Sequence, residues 1–250
     1  MSEAELIWGR NVASAALKGG RSVNKGLLAM GSHGRTVAEI RALAREMGVP
    51  VEEIDRRRLD QLAQGANHQG VLALVAARQY VEVTDLLVQA RAARQDPLLV
   101  LLAHVEDPRN LGAIARSAEA AGAHGLIIPA RRAAGVTGTA EKAAAGALEH
   151  LPVARVGNLA QCLQRLKGEG LWAIGADMAG EQLYFDADLT GPVVLVVGGE
   201  DKGLGTLLKR ECDLTVRIPM LGTVPSLNAA VAASLLLYEV VRQRHVRGRA

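Results

Sequence analysis

Apolar positions along the chain fall into two regimes. Up to residue 77, the segments 7–17, 36–47 and 59–63 combine helix-like periodicity with short apolar runs, and the run 71–76 closes as a strand. This pattern predicts a small α/β unit over 1–77. Between 78 and 96 the pattern turns polar and helical, with Asp85, Gln89, Arg91, Arg94, Gln95 and Asp96 interrupting it, and predicts a linker. From 97 to 250, strands are predicted at 98–103, 125–128, 193–197 and 214–218, with a fifth at 172–175, separated by Ala-rich helical stretches. The runs are continuously apolar rather than alternating, as strands buried on both faces must be, and 111–121 and 228–242 carry helical spacing. The predicted fold is therefore α/β with a mostly parallel sheet, in which ligands bind beyond the carboxyl ends of the strands.

Composition narrows the partners. With 250 residues, 49% of them hydrophobic, the chain is long enough to bury a substantial core. It has no run of the roughly eighteen uninterrupted apolar residues that a membrane span needs, so a soluble, cytoplasmic protein without membrane contact is expected. Cys162 and Cys212 are too few and too isolated for a disulfide framework or a zinc cluster, and are read as ordinary thiols. The six histidines show no metal-ligand spacing. A net charge of +3 permits contact with phosphates without requiring it. One Phe, three Tyr and two Trp cannot supply the row of stacking aromatics used by sequence-tolerant single-strand binders. An RNA partner would be held by basic and polar groups instead.

Three segments at predicted strand ends carry candidate chemistry. The first runs from Asp107 to Gly122, with Asn110 near a helix start and Arg116 further along the helix. Taken singly these read as a cap and a solvated arginine. The second is Val197-Gly198-Gly199-Glu200-Asp201-Lys202-Gly203, where glycines allow close backbone approach to a ligand. It lacks the Gly-Lys-Ser/Thr of a phosphate loop, and no predicted strand is followed by Gly-x-Gly-x-x-Gly. The third, Ile218-Pro219-Met220-Leu221-Gly222-Thr223-Val224-Pro225-Ser226-Leu227-Asn228, leads from the last strand into a long apolar helix.

In this order the three segments resemble the motifs of the SpoU (TrmH) family of RNA methyltransferases. Trp8-Gly9-Arg10-Asn11-Val12 and Asn67-His68-Gln69-Gly70-Val71 also look like the N-terminal substrate-binding domain of its bacterial ribosomal members. The resemblance implies a SPOUT-type catalytic domain with a C-terminal trefoil knot, preceded by an L30e-like domain. It further implies a homodimer packed through the knot region, S-adenosylmethionine as cofactor, and methyl transfer to a ribose 2′-hydroxyl of RNA. The ribosomal members act on a guanosine of large-subunit (23S) RNA. By resemblance, Asn110, Arg116, Glu200, Ser226 and Asn228 are the catalytic set. Gly198, Gly199, Ile218, Met220, Ser226 and Leu227 are the cofactor-binding set. One departure is visible: the family's usual Val-Ser after the asparagine is replaced by Ala229-Ala230.

The implied transfer needs an in-line approach and removal of the hydroxyl proton, and no metal. Arg116 is a poor proton acceptor, because a guanidinium stays charged up to a pKa of about 12.5 or more, so it is expected to hold a phosphate that assists deprotonation. Two other readings stand beside this one: a sister enzyme acting on transfer RNA, and an RNA-binding module that has lost catalysis. Arg56, Arg57, Arg58 and the tail Arg242, Arg244, Arg247 and Arg249 are weaker phosphate candidates, and His68 is balanced between loop structure and RNA contact.

Overall fold

The computed structural model describes residues 4–200 and 202–248, so Asp201 and Arg249 lie outside the described residues. The first unit comprises β1 (Ala4–Trp8), α1 (Arg10–Lys18), β2 (Val23–Ala29), α2 (Arg35–Glu46), β3 (Val51–Ile54), α3 (Arg56–Leu62) and β4 (Val71–Ala76). Its sheet has the order β1-β4-β2-β3, with β4 antiparallel to both neighbours and β2 parallel to β3. Val12, Ala16, Val37 and Ile40 from α1 and α2 pack with Leu28 and Val75 on one face, and Leu59 from α3 packs with Leu27 and Leu72 on the other. The segment 7–17, which carries helix-like spacing in sequence, is split between β1 and α1 by Gly9 at φ +103°, a conformation that favours glycine.

The rest of the chain forms α4 (Val83–Ala92), β5 (Leu98–Ala103), α5 (Pro108–Ala120), β6 (Gly125–Pro129), α6 (Gly138–Ala144), a 3₁₀ turn (Ala147–Glu149) and β7 (Val153–Val156). There follow α7 (Leu159–Gly168), β8 (Trp172–Ala176), β9 (Gln182–Leu183), β10 (Val193–Gly198), α8 (Thr206–Glu211), β11 (Leu214–Arg217) and α9 (Ala229–Arg247). The strands build one parallel sheet in the order β7-β6-β5-β10-β8-β11-β9. Burial explains its apolar runs. Leu98, Val100, Leu102, Val193, Leu195 and Val197 pack under α5, α6 and α9, while Leu99, Leu101, Val194 and Val196 pack with Leu86, Leu87, Leu163, Leu166 and Leu208 on the opposite face.

The expected linker at 78–96 contains a helix of this second layer. Leu86, Leu87 and Ala90 of α4 are buried against the sheet, and Glu82 and Asp85 close a capping box at its start. The polar residues between them face water, which is why the segment reads as a connector in sequence. The order of strand addition reverses after β7. The chain crosses to β8, and β10 then enters between β5 and β8, two strands laid down earlier.

Helix α6 joins the two units. A Cβ on Gly138 would stand 2.3 Å from the Trp8 ring, so the glycine lets α6 close on β1. Beside this contact Glu141, 1% exposed, accepts from Arg21 at 2.9 Å and from Arg78 at 3.0 Å, and Glu149 pairs with the same two arginines.

Candidate functional site

The turn after β5 opens α5. Asp107 caps the helix by accepting the Arg109 N–H at 2.7 Å, Pro108 takes the first helical position, and Asn110 falls in the first turn. Gly112 explains the glycine of this motif: a Cβ there would sit 2.2 Å from the Ala140 carbonyl oxygen, so α5 and α6 can approach only over glycine. The turn after β10 is equally tight. A Cβ on Gly198 would lie 2.2 Å from the Gly203 carbonyl carbon, and one on Gly199 would lie 2.1 Å from the His104 carbonyl oxygen. Asn228 caps α9 through Oδ1, which accepts the Ala230 N–H at 3.0 Å.

These three turns meet at one carboxylate oxygen. Asn228 Nδ2 donates to Glu200 Oε1 at 2.5 Å and to Asn110 Oδ1 at 3.0 Å, Asn110 Nδ2 donates to Glu200 Oε1 at 3.2 Å, and the Ala229 N–H points to the same oxygen at 3.4 Å. Ala229 and Ala230, which depart from the family pattern, thus supply backbone donors, and both are buried.

The cluster stands between two concavities. On one side is a cavity of about 410 Å³ lined by Gly198, Gly199, Ile218, Met220, Ser226 and Leu227, together with Asp177 and Met178 from the loop after β8. Its volume falls within the roughly 300–1,000 Å³ of small-molecule sites. Aliphatic side chains, glycine backbone and a few polar groups are the donor set that an adenosyl group on a charged thioether requires, and the residues fit it. On the other side is a polar cleft of about 230 Å³ lined by His104, Glu106, Asn110, Glu200 and Lys202. Gly199, Glu200, Lys202 and Ala229 border both spaces.

Two residues of the expected catalytic set stand apart from the cluster. Arg116 is exposed and lies six positions after Asn110, which places it about 120° round α5 from that residue. Ser226 lines the cavity wall and makes no hydrogen bond with the cluster among the described residues. Sequence reasoning passed over Asp177 and Met178, and gave His104 only a structural or surface role. The first two lie at the carboxyl end of β8, where the rule for open parallel sheets places ligands. His104 holds φ +58°, an uncommon backbone for a histidine, at the end of β5. His68, weighed as an RNA contact, is buried: its Nδ1 accepts the Gly70 N–H at 3.0 Å and its Nε2 meets Asp60 at 2.8 Å. It shapes its loop from within.

Comparisons with known proteins agree along nearly the whole chain. The model of the SpoU rRNA Methylase family matches residues 97–238, and that for RNA 2′-O ribose methyltransferase substrate binding matches residues 6–81. YacO of Bacillus subtilis (strain 168), whose name places it among TrmH family tRNA/rRNA methyltransferases, is 43% identical over 244 residues, 98% of each chain. The structure of the SpoU methyltransferase AviRb from Streptomyces viridochromogenes, solved with the cofactor AdoMet, is similar with a TM-score of 0.81 and 32% identity, covering 96% of this chain and 90% of that one. An AdoMet-bound rRNA methyltransferase from Sinorhizobium meliloti gives a TM-score of 0.78 and 28% identity over 96% of this chain and 87% of its own. The matched segment spans more than half of the sequence and contains the three turns that meet at Glu200, and the chain belongs to the SpoU rRNA methylase family.

Proposed function

We propose that this protein transfers a methyl group from S-adenosylmethionine to the 2′-hydroxyl of a ribose in RNA, with a guanosine of 23S ribosomal RNA as the target. The observation that carries this reading is the join at Glu200, where an apolar cavity fit for the cofactor and a polar cleft fit for a ribose share one wall. The ribosomal substrate is supported by the S. meliloti structure, a protein titled an rRNA methyltransferase that aligns over both units.

When bound, S-adenosylmethionine supplies a methyl carbon activated by sulfonium charge. In this reading Gly198, Gly199, Ile218, Met220, Ser226 and Leu227 hold it. Asn110 and Asn228, locked to Glu200, orient the ribose, and their preorganised dipoles need no rearrangement as charge develops on the hydroxyl oxygen. The Arg116 guanidinium grips an RNA phosphate in a bidentate manner. The hydroxyl proton passes to an oxygen of that phosphate.

Several further features belong to the same reading. Residues 1–77 act as the substrate-binding unit and 97–250 as the catalytic unit, with the C-terminal segment threaded as a trefoil knot. The homodimer is assigned to the face between α5 and α9, where Ala113, Ser117, Val231 and Tyr238 line a groove of about 650 Å³ and Val231 and Tyr238 are half exposed. Arg116 lies one turn beyond Ala113 on α5, beside that face. The protein works in the cytoplasm, and among the described residues no helix is long and apolar enough to cross a membrane.

The test is transfer of labelled methyl from S-adenosylmethionine to purified large-subunit RNA and, separately, to bulk transfer RNA. Label recovered after alkaline cleavage as a 2′-O-methylated dinucleotide from the ribosomal RNA is the expected result. Label confined to transfer RNA overturns the substrate, and a chain that gains no thermal stability from S-adenosylmethionine overturns the enzyme reading.

A further inference from the structure

The two stretches 8–12 and 67–71 lie outside the cluster at Glu200, and the fold brings them together. Gly9 donates its N–H to the Val71 carbonyl at 3.1 Å, and Arg10 Nε donates to the Gln69 carbonyl at 3.1 Å. From the other unit, Lys142 on α6 donates its Nζ to Gln69 Oε1 at 3.2 Å. A Cβ on Gly9 would stand 2.5 Å from that Nζ, so the lysine packs directly over this glycine, whose φ of +103° is what favours glycine here. Two cations from two units thus converge on one exposed residue, Gln69, itself held at φ +53°.

Hydrogen bonds to Gln69 hold these two side chains in place, but nothing in the described fold neutralises their charges. Among the described residues neither Arg10 nor Lys142 has a carboxylate within 4.0 Å, whereas nearby Lys18, Arg21 and Arg78 are all ion-paired. Lys142 is half-buried, and burial holds its ammonium below the usual lysine range. Arg10 occupies the first position of α1 and Arg35 that of α2, where a positive charge opposes the helix dipole. The Arg10 guanidinium passes 3.8 Å from where a Cβ on Gly34 would be, so Arg35 flanks the same point. The hydrogen bond from the Met30 N–H to the Ile54 carbonyl brings the loop that leads to Gly34 and Arg35 beside the strand that leads to the exposed Arg56. Cations drawn from four helices, each about 10 Å across, cover too long a surface for a single small anion and suit a polyanion.

We propose that Arg10, Lys142 and Gln69 form a clasp for the phosphodiester backbone of the RNA substrate at the seam between the two units, with Arg35 and Arg56 extending it. The strand is gripped by both units at once, and Lys142, which has no carboxylate within 4.0 Å among the described residues, gains a counter-charge when RNA is present. This rests on the reading of RNA as substrate.

The test uses the full chain carrying Arg10→Gln, Lys142→Gln or both. Binding to fluorescein-labelled fragments of 23S ribosomal RNA and to bulk transfer RNA is followed over a range of salt concentrations. Each substitution weakens binding roughly three- to tenfold and lowers the slope of log affinity against log salt by about 0.7–0.9. The rise in Tm on adding S-adenosylmethionine stays as in the parent, which shows that fold and cofactor cavity are intact. A lowered slope on either RNA upholds the clasp, and unchanged affinity and slope on both overturn it. If a substitution at the seam lowers Tm, the exposed Arg35→Gln decides: it must reduce the slope without changing Tm, and failure to do so overturns the proposal. Salt-sensitive binding through Arg10 without any methyl transfer would overturn the proposed activity and leave the clasp standing.

Discussion

Asn228 is bonded at both ends of its side chain, its Oδ1 capping α9 and its Nδ2 donating to Glu200 Oε1 at 2.5 Å. The residue that starts the last helix is therefore the residue that fastens the second turn to the third. The two roles separate by substitution. Asn228→Ser keeps a capping oxygen and removes the amide donor, so methyl transfer falls about a hundredfold while Tm holds. Asn228→Ala loses both and also costs about 1 kcal/mol of stability. Paired rate and Tm measurements on the two variants and the parent check this, and parental rates in both variants would separate the cluster from catalysis.

Gly199→Ala drives a methyl into the His104 carbonyl oxygen, where a Cβ would sit at 2.1 Å. Overpacking of this kind costs about 1–3 kcal/mol, and the displaced turn deforms the cavity wall. Thermal melts with and without S-adenosylmethionine should show a lowered Tm and a diminished ligand shift. A full shift would remove Gly199 from the cofactor set.

Arg116→Lys keeps a positive charge on an exposed stretch of α5 and so leaves the fold alone. A point-charge ammonium does not reproduce the planar grip of guanidinium on phosphate, and most of the transfer rate is lost. Near-parental turnover by the lysine variant would sink the phosphate-holding role.

Glu141→Ala removes one of the two carboxylates that Arg21 and Arg78 share and leaves Glu149 as their remaining common partner. Breaking a buried ion pair from one side costs about 3–5 kcal/mol, and the surviving pairs with Glu149 hold the loss toward or below the lower figure. Denaturant unfolding should move its midpoint accordingly, and a midpoint within error of the parent would show that the network carries no net stability.

Burial pushes the thiols of Cys162 and Cys212 up from 9.0, to about 11 and about 12. A thiol that ionises later in the folded state contributes stability that is fully present below the unfolded value and is lost as pH rises through the folded one. Tm should therefore fall between about pH 9 and pH 12, and the double variant Cys162→Ala, Cys212→Ala should fall less steeply over that window. Parallel curves for the two proteins would assign the alkaline loss to other groups.

Much of this was legible before any fold was known. The runs at 98–103 and 193–197 announced buried parallel strands because both faces of β5 and β10 are covered, which removes every polar position from them. The edge strands were less visible. β7 has four residues with Arg155 exposed among them, and β9 has two, so neither makes an apolar run. Helix α4 was legible as helical, but its place in the second unit was not, because Leu86, Leu87 and Ala90 are its only buried residues.

What the sequence determined by itself was local: which stretches bury both faces, which polar residues follow a strand and open a helix, and the order of three motifs that marks the family. Such properties depend on a residue and its near neighbours in the chain, and spacing records them. What only the tertiary structure decided was convergence. Asn110, Glu200 and Asn228 are separated by up to 118 positions and meet at one oxygen because β10 enters between β5 and β8, bringing two turns together where α9 begins. Lys142 reaches Gln69 across 73 positions because Gly138 lets α6 close on Trp8. Linear spacing carries no record of either meeting, since packing of distant elements sets which side chains share a space.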